Sequence, residues 1–368
     1  MFRRELARQT AAEFREVLAD TLHLCAPLLR VDREQLLSLA ASPAVESIQL
    51  VTIERHQAAS GFETAQLTTS VNSIDVPNAW AQGYDGAGAV IAVIDGGFNL
   101  QHPLLAGKTV AEGCFSHTMG SAKSECPSGT TPQTTAGAAS YCPPGSTRCD
   151  HGTHVASIAV GNDGTNFGVA RGAKLMALDV FSADSDPSDC SPDPAPCEVT
   201  DSLAVLDALD YVITRTTDLN IAAVNISVGG SLFSGYCDDD PRKVAIDALR
   251  AKGVAVAIAA GNDGASDKVE KPGCISTAET VGASDDGTAV GSFSNFSTMV
   301  DFMAPGVSVL AAAGTGAGLV SRTGTSMAAP HVAGAWAIMR QAFPTASFDL
   351  LETTLKQTGL PIGRAGVS

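Results

Sequence analysis

From Val76 onward the chain alternates between two hydrophobic patterns. Short, largely apolar runs recur at Ala89–Ile94 (AVIAVI), Lys174–Phe181, Ile221–Ser227 and Val254–Ala259. Runs of that kind predict strands buried on both faces, as in parallel sheets. Between them, Ser202–Thr214 carries Leu203, Leu206, Leu209, Tyr211 and Ile213 at helical spacing, and Arg242–Lys252 is a second helix closed by Gly253. Alternating strand and helix predict an α/β fold with a mainly parallel central sheet and helical crossovers on its faces. Segments 111–149 and 182–200, rich in Cys, Pro and Ser, read as surface loops inserted on that scaffold. Ahead of it, residues 1–58 read as a small α+β unit: Pro27–Val31 extended, Asp32–Ala41 helical with Asp32 as N-cap, Ala44–Ile53 extended again. The polar stretch Glu54–Ser70 joins the two, which divides the chain into 1–58, a linker at 59–70 and a main domain at 71–368.

Charge and composition then narrow the partners. With 23 Lys and Arg against 39 Asp and Glu, the net charge is -16. No basic stripe is present to displace counterions from phosphates, so no nucleic-acid partner is expected. No apolar run reaches the roughly 18 residues of a membrane span, and no membrane partner is expected either. The N-terminus opens with basic residues, but Asp and Glu interrupt the stretch behind them, so it does not read as a signal peptide. Nine cysteines are present, and the eight beyond residue 110 fall mostly in loops, without the two close CxxC clusters of a zinc site. An even set of loop cysteines points to disulfides and an oxidising compartment, secreted or periplasmic.

Three segments carry candidate chemistry. Asp95, in AVIDGG, closes a buried strand, and the C-terminal edge of a parallel sheet is where ligand and catalytic groups gather; taken alone, it reads equally well as a turn residue. His151 opens the helix DHGTHVASIA (150–159), with Gly152 and small residues behind it permitting close packing. His154, one turn on, reads as a packed structural histidine rather than a metal ligand, since the HExxH pattern is absent. Ser326, in GTSMAAPHVAG (324–334), starts an apolar helix whose free N–H groups and dipole favour developing negative charge. On local grounds a serine there reads first as an N-cap. His331 lies five residues on and points away, which makes it a poor base. Each signal is modest alone; together their chain order, Asp then His then Ser, is one of the known orders of a catalytic triad.

With these motifs combined, the chain resembles the subtilisin-like serine proteases, the family of subtilisin and proteinase K. The matching segments are VIDGG at 93–97, HGTHVA at 151–156, NISVGG at 225–230, AAGNDG at 259–264 and GTSMAAPHVAG at 324–334, within a similarity running through almost all of 70–345. The resemblance implies a three-layer fold and a serine endopeptidase that forms an acyl-enzyme with polypeptide substrates and needs no cofactor for its chemistry. It assigns Asp95, His151 and Ser326 as the triad and Asn262 as the oxyanion-hole amide. It further implies that Ser227, Val228 and Gly229 pair with an extended substrate, and that Ala259, Ala260 and Gly261 wall the pocket before the scissile bond. Glu270 falls near the base of that pocket, where an inward carboxylate would favour basic side chains and an outward one would not matter. Asp301, with carbonyls at Ser276 and Ala278, matches a family calcium site, so a structural Ca2+ is a further expectation; a solvated loop Asp is the alternative.

The same resemblance makes residues 1–58 part of a propeptide, both foldase and inhibitor, released by self-cleavage between about Ile53 and Ser70, and makes a monomer the default. Cys142–Cys149 and Cys190–Cys197 would close short loops and Cys237–Cys274 would bridge two, although eight cysteines allow 105 connectivities. Two positions depart from the family pattern: Gly96 stands where Thr or Ser usually follows the catalytic Asp, and Ser157 where Gly usually follows HGTHVA. A silent peptide-binding module and a hydrolase of small esters are the competing classes. The intact set of four catalytic positions argues against the first, and the peptide-pairing segment NISVGG against the second.

Overall fold

The apolar runs form strands where the periodicity places them, within a residue or two at each end. The computed structural model describes residues 33–40, 48, 51–56, 67–140, 150–190, 194–285 and 289–363. It divides into two units, Met1–Val51 and Thr52–Ser368. The first contains the helix Arg33–Ala40, inside the expected Asp32–Ala41. The strand expected at Pro27–Val31 and most of that at Ala44–Ile53 lie outside the described residues.

The second unit opens with β1 (Ile53–His56), followed by β2 (Val90–Asp95), β3 (Thr109–Cys114), helix α1 (Asp150–Val160), β4 (Lys174–Asp179) and β5 (Phe181–Asp184). Next come β6 (Cys197–Asp201), α2 (Ser202–Arg215), β7 (Ile221–Ile226), β8 (Val228–Gly229) and α3 (Arg242–Ala251). The last are β9 (Ala255–Ala259), β10 (Glu279–Asp285), β11 (Phe302–Pro305) and α4 (Thr325–Ala342). The central sheet runs β10-β9-β7-β2-β4-β3, with β11 also on β10. All of these strands pair in parallel. The short strand Ala289–Val290 adds antiparallel at the β10 edge. β2, β7 and β9 are buried at every position, which explains why they read as continuous apolar runs. Helices α1 and α4 pack together over one face through Val155, Ala156, Ile158, Ala333 and Trp336, while α2 and α3 pair on each other. This is the α/β, mainly parallel, helix-flanked architecture that the sequence predicts.

Three differences have physical causes. β3, read as the start of a loop, is an edge strand of the central sheet; its sequence TVAEGC alternates because only some positions are covered. β5 and β6, inside the other presumed loop, form an antiparallel pair closed by the disulfide Cys190–Cys197. β1, read as the end of the N-terminal unit and the start of a linker, is instead a strand of the second unit, and a helix at Leu67–Ser73 ends the linker stretch. Among the described residues, Cys237–Cys274 also pairs as expected, whereas Cys114–Cys126 joins two cysteines that spacing did not single out. Cys142–Cys149 lies outside the described residues.

Two histidines hold the helices in place while uncharged. His154 is fully buried in α1, and its Nε2 donates to the carbonyls of Val309 (3.1 Å) and Val320 (3.0 Å). His331 is buried in α4, and its Nδ1 donates to Met327 O at 2.8 Å. Burial pushes their pKa down, to about 3 and about 4. A base whose folded pKa is depressed leaves the unfolded chain binding more protons below about pH 6.5, so each contributes full stability above that pH and loses it as pH falls. The stability gap between the wild-type chain and His154→Gln, read by urea unfolding, should therefore shrink by about 1.4 kcal/mol per pH unit from pH 6.5 toward pH 4. A pH-independent gap would show that His154 is already charged in the fold.

Candidate active site

Because the central strands are parallel, their C-terminal ends open on one edge, and the candidate residues collect there. Asp95 is the last residue of β2. Ser227 sits between β7 and β8, Ala259 ends β9 with Asn262 three residues on, and the first turns of α1 and α4 bring His151 and Ser326 to the same edge. Gly152 makes the approach of α1 feasible: a Cβ there would lie 2.6 Å from Gly96 O and 2.9 Å from Gly97 O.

Asp95 and His151 form a buried pair, His151 Nδ1 donating to Asp95 Oδ1 at 2.8 Å. The same oxygen accepts the Gly96 N–H at 2.8 Å, while Oδ2 is buried without a hydrogen-bond partner. Burial pushes the Asp95 carboxyl up to about 7, against the pull of a neighbouring His56 and the Gly96 amide. Burial also holds His151 well below its ordinary value, helped by His56 and Arg322. Both shifts have one cause, exclusion of water, and leave His151 neutral with its Nε2 free of hydrogen bonds.

Ser326 is fully buried and donates its Oγ to Ser227 O at 3.1 Å rather than to His151. Ser227 returns the contact, its Oγ donating to Ser326 O at 3.0 Å. That second bond has a reason in the sequence. Pro330 lacks the N–H that would bond the carbonyl four residues back, and Ser227 supplies the missing donor.

Asn262 is held by its carbonyl alone: Oδ1 accepts from Thr325 N (2.9 Å) and Thr325 Oγ1 (3.1 Å), and Nδ2 is buried with no partner. An oriented, unspent amide donor beside a helix N-terminus suits an oxyanion. Thr325 and Asn295 were not singled out by sequence reasoning, although both shape this loop. Thr325 Oγ1 also accepts the Gly261 N–H, and buried Asn295 clamps the turn through Ala260 O, Asp263 N and Ala265 N. Gly261 is at φ 103°, where a side chain would strike Asn295 and Glu270. Glu270 is buried against Gly261, beside the expected Ala259–Gly261 wall, so the outward alternative does not hold.

β1 lies over this edge. It is antiparallel to β6 on one side (Ile53↔Asp201, Glu54↔Thr200) and to β8 on the other (Arg55↔Gly229, His56↔Val228). His56 stacks between Phe181 and His151, 3.9 Å from each ring centre, and reaches Glu198 Oε2 at 2.9 Å through Nε2. Burial lowers its pKa to about 4. Glu54, on the same face two residues earlier, is fully buried with Oε2 2.7 Å from Arg242 Nη1. No pattern in the sequence links these residues; only the fold brings them together.

Asp301 does not present an open calcium site. Its Oδ1 accepts from Lys356 Nζ at 2.7 Å and its Oδ2 from Thr280 N at 3.0 Å, with Glu279 and Glu352 alongside. Ser276 is engaged through its N–H and hydroxyl with Asp238, and Ala278 is buried. An ammonium thus provides the positive charge beside Asp301, and a divalent ion there would have to displace Lys356.

The family model described as "Subtilase family" matches residues 86–367. The chain is 36% identical over 192 residues to subtilisin-like protease 3 of Arthroderma benhamiae, covering 51% of this chain and 43% of that protein. It is 29% identical over 308 residues to the cuticle-degrading serine protease of Arthrobotrys oligospora, covering 82% of this chain and 64% of that one. It therefore spans less than two thirds of these relatives' own length. A crystal structure of a cold adapted subtilisin-like serine proteinase superposes with a TM-score of 0.54 at 26% identity, over 74% of this chain and 83% of that one. With a parallel-sheet edge that gathers Asp95, His151 and Ser326 and a family match over most of its length, this chain belongs to the subtilase family.

Proposed function

We propose that the chain is a serine endopeptidase made as a zymogen, in which β1 occupies the track that a substrate takes. The observation that carries this reading is β1 itself: an extended segment, paired on Val228 and Gly229, whose last residue stacks on the imidazole of the Asp95–His151 pair. A scaffold that binds extended backbone next to a buried base and a helix-start serine is suited to peptide cleavage.

In the mechanism, the Ser326 hydroxyl exchanges its bond to Ser227 O for one to the free Nε2 of His151. His151 takes the proton as Oγ attacks the scissile carbonyl, and Asp95 orients the ring and stabilises the imidazolium. The unspent Nδ2 of Asn262 and the N–H of Ser326 hold the oxyanion. The amine leaves with the proton from His151, and water, activated the same way, releases the acyl group. Ser227, Val228 and Gly229 hold the substrate backbone, and Ala259, Ala260 and Gly261 wall the pocket for the residue before the cut. Maturation then cleaves just beyond β1, within the stretch between Ile53 and Ser70, and frees residues upstream as inhibitor. Three disulfides among the described residues support a secreted protein; no described helix is long and apolar enough to cross a membrane.

A fluorophosphonate probe should label one residue, Ser326, as an N-terminal fragment is released, and Ser326→Ala should abolish both; a folded chain freed of that fragment that takes no label is not an enzyme of this kind. Asn262→Ala should lower kcat by about 100- to 1000-fold with little change in KM, the cost of one oxyanion donor. A rise in KM with kcat unchanged would make the residue a part of ground-state binding instead. With Lys356 on Asp301, the melting temperature should be the same in EGTA and in millimolar calcium. A calcium-dependent rise abolished by Asp301→Asn would assign the ion.

A further inference from the structure

Under β1 lies a charge cluster that outlasts β1 if that strand departs. Arg242, the second largest of the fully buried side chains, sits at the start of α3. Its Nε and Nη2 fork onto Asp240 at 3.0 and 2.9 Å, and Nη1 reaches out to Glu54 Oε2 at 2.7 Å. Lys271 Nζ adds to Asp240 Oδ2 at 3.1 Å. Gly230 leaves the room: a Cβ there would lie 3.3 Å from Glu54 Cγ. With Glu54 in place, two cations face two carboxylates. When another segment covers the site without a carboxylate, Arg242 and Lys271 share only Asp240, and one arm of a buried guanidinium is left without an acceptor. An unpaired buried charge is costly, and the cost is relieved by any ligand that restores the partner.

We propose that Arg242 is a specificity-determining residue that selects substrates carrying a glutamate two positions before the residue that packs on His151. The proposal rests on the reading of β1 as a segment lying in the substrate track. Glu54 and His56 alternate to the same face of the strand, so a substrate in the same register delivers its side chain to the same fork. Arg suits this task, because its planar donors recognise a carboxylate with fixed geometry. The unbonded Glu54 Oε1 shows that one carboxylate oxygen carries the contact. The groups facing Glu54 are Arg242, Asp240 and Lys271: burial raises its carboxyl, and Arg242 pulls it back. The comparison that decides is therefore between a carboxylate and its uncharged isostere.

The test uses the full chain after it has processed itself, with a quenched-fluorescent peptide reproducing residues 52–60 and two variants in which Gln or Leu replaces the glutamate at the Glu54 position. The expected result is a kcat/KM at least about tenfold higher for the Glu peptide than for either variant, since a site built around a polar partner rejects ligands that leave it unpaired. The preference should fall several-fold in an enzyme carrying Asp240→Asn with Arg242→Met, which removes one buried charge of each sign and leaves only Lys271 to face the glutamate. Equal hydrolysis of the Glu and Gln peptides by the wild-type enzyme overturns the proposal, whether or not the double variant folds. Casein hydrolysis and fluorophosphonate labelling of the same preparation keep the two ideas apart. If both persist without glutamate preference, only the Arg242 subsite falls; if both are absent, the endopeptidase reading falls and takes the subsite with it.

Discussion

A carboxyl and an imidazole, buried together at the open edge of a parallel sheet, set the terms for everything around them. The 2.8 Å contact between Asp95 and His151 exists only because β2 ends there and because Gly152 lets α1 press against the backbone after Asp95. Dryness shifts both groups toward their neutral forms. Asp95 rises to about 7 and His151 stays neutral, so the imidazole is in the form that accepts a proton. The dryness is in part the work of β1, whose His56 covers the ring. In the proposed mechanism, the site is most water-excluded when a strand is bound, which is also when a developing charge gains most from fixed donors.

The same edge shows how local sequence rules yield to non-local ones. The Ser326 segment is a helix start with Pro330 in its second turn, and that proline would leave Ser326 O without a donor. Ser227, ninety-nine residues earlier, supplies one and in turn accepts the Ser326 hydroxyl. Asn262 is spent on one side by Thr325 and left open on the other. Each reactive group is fixed by a neighbour from a different strand or helix, which is how a loop-built site acquires the precision of its scaffold.

How much of this could be read from the sequence depends on the range of each interaction. Asp95, His151 and Ser326 stand out as candidates because each lies in a short motif at the end of a predicted strand or the start of a helix, and Asn262 is named only by the family resemblance; the structure brings these four positions to one sheet edge. The buried strands were legible from continuous apolar runs. β1 was not, since Ile-Glu-Arg-His has one apolar residue and takes its strand form from the free edges of β6 and β8. Nor was the Glu54–Arg242 contact, which joins residues 188 positions apart. Cys114–Cys126 escaped for a related reason: twelve residues of separation is compatible with many pairings, and only β3 turning into the sheet brings the two sulfurs together.

In the proposed zymogen, β1 guards the active site and then leaves, two opposed demands that its composition suits. Tight seating through apolar anchors would persist after cleavage, because burial of hydrocarbon does not depend on chain continuity. β1 instead relies on backbone pairing to two edges, on one stacked imidazole and on one buried ion pair. Each of these is offset by the hydration that the free segment regains, so the net hold is modest once the chain is cut. In the proposed enzyme, Arg242 stays in the fold after Glu54 departs, and any segment that covers it again without a carboxylate leaves its guanidinium unpaired. That asymmetry would make the docking site of β1 a selective one.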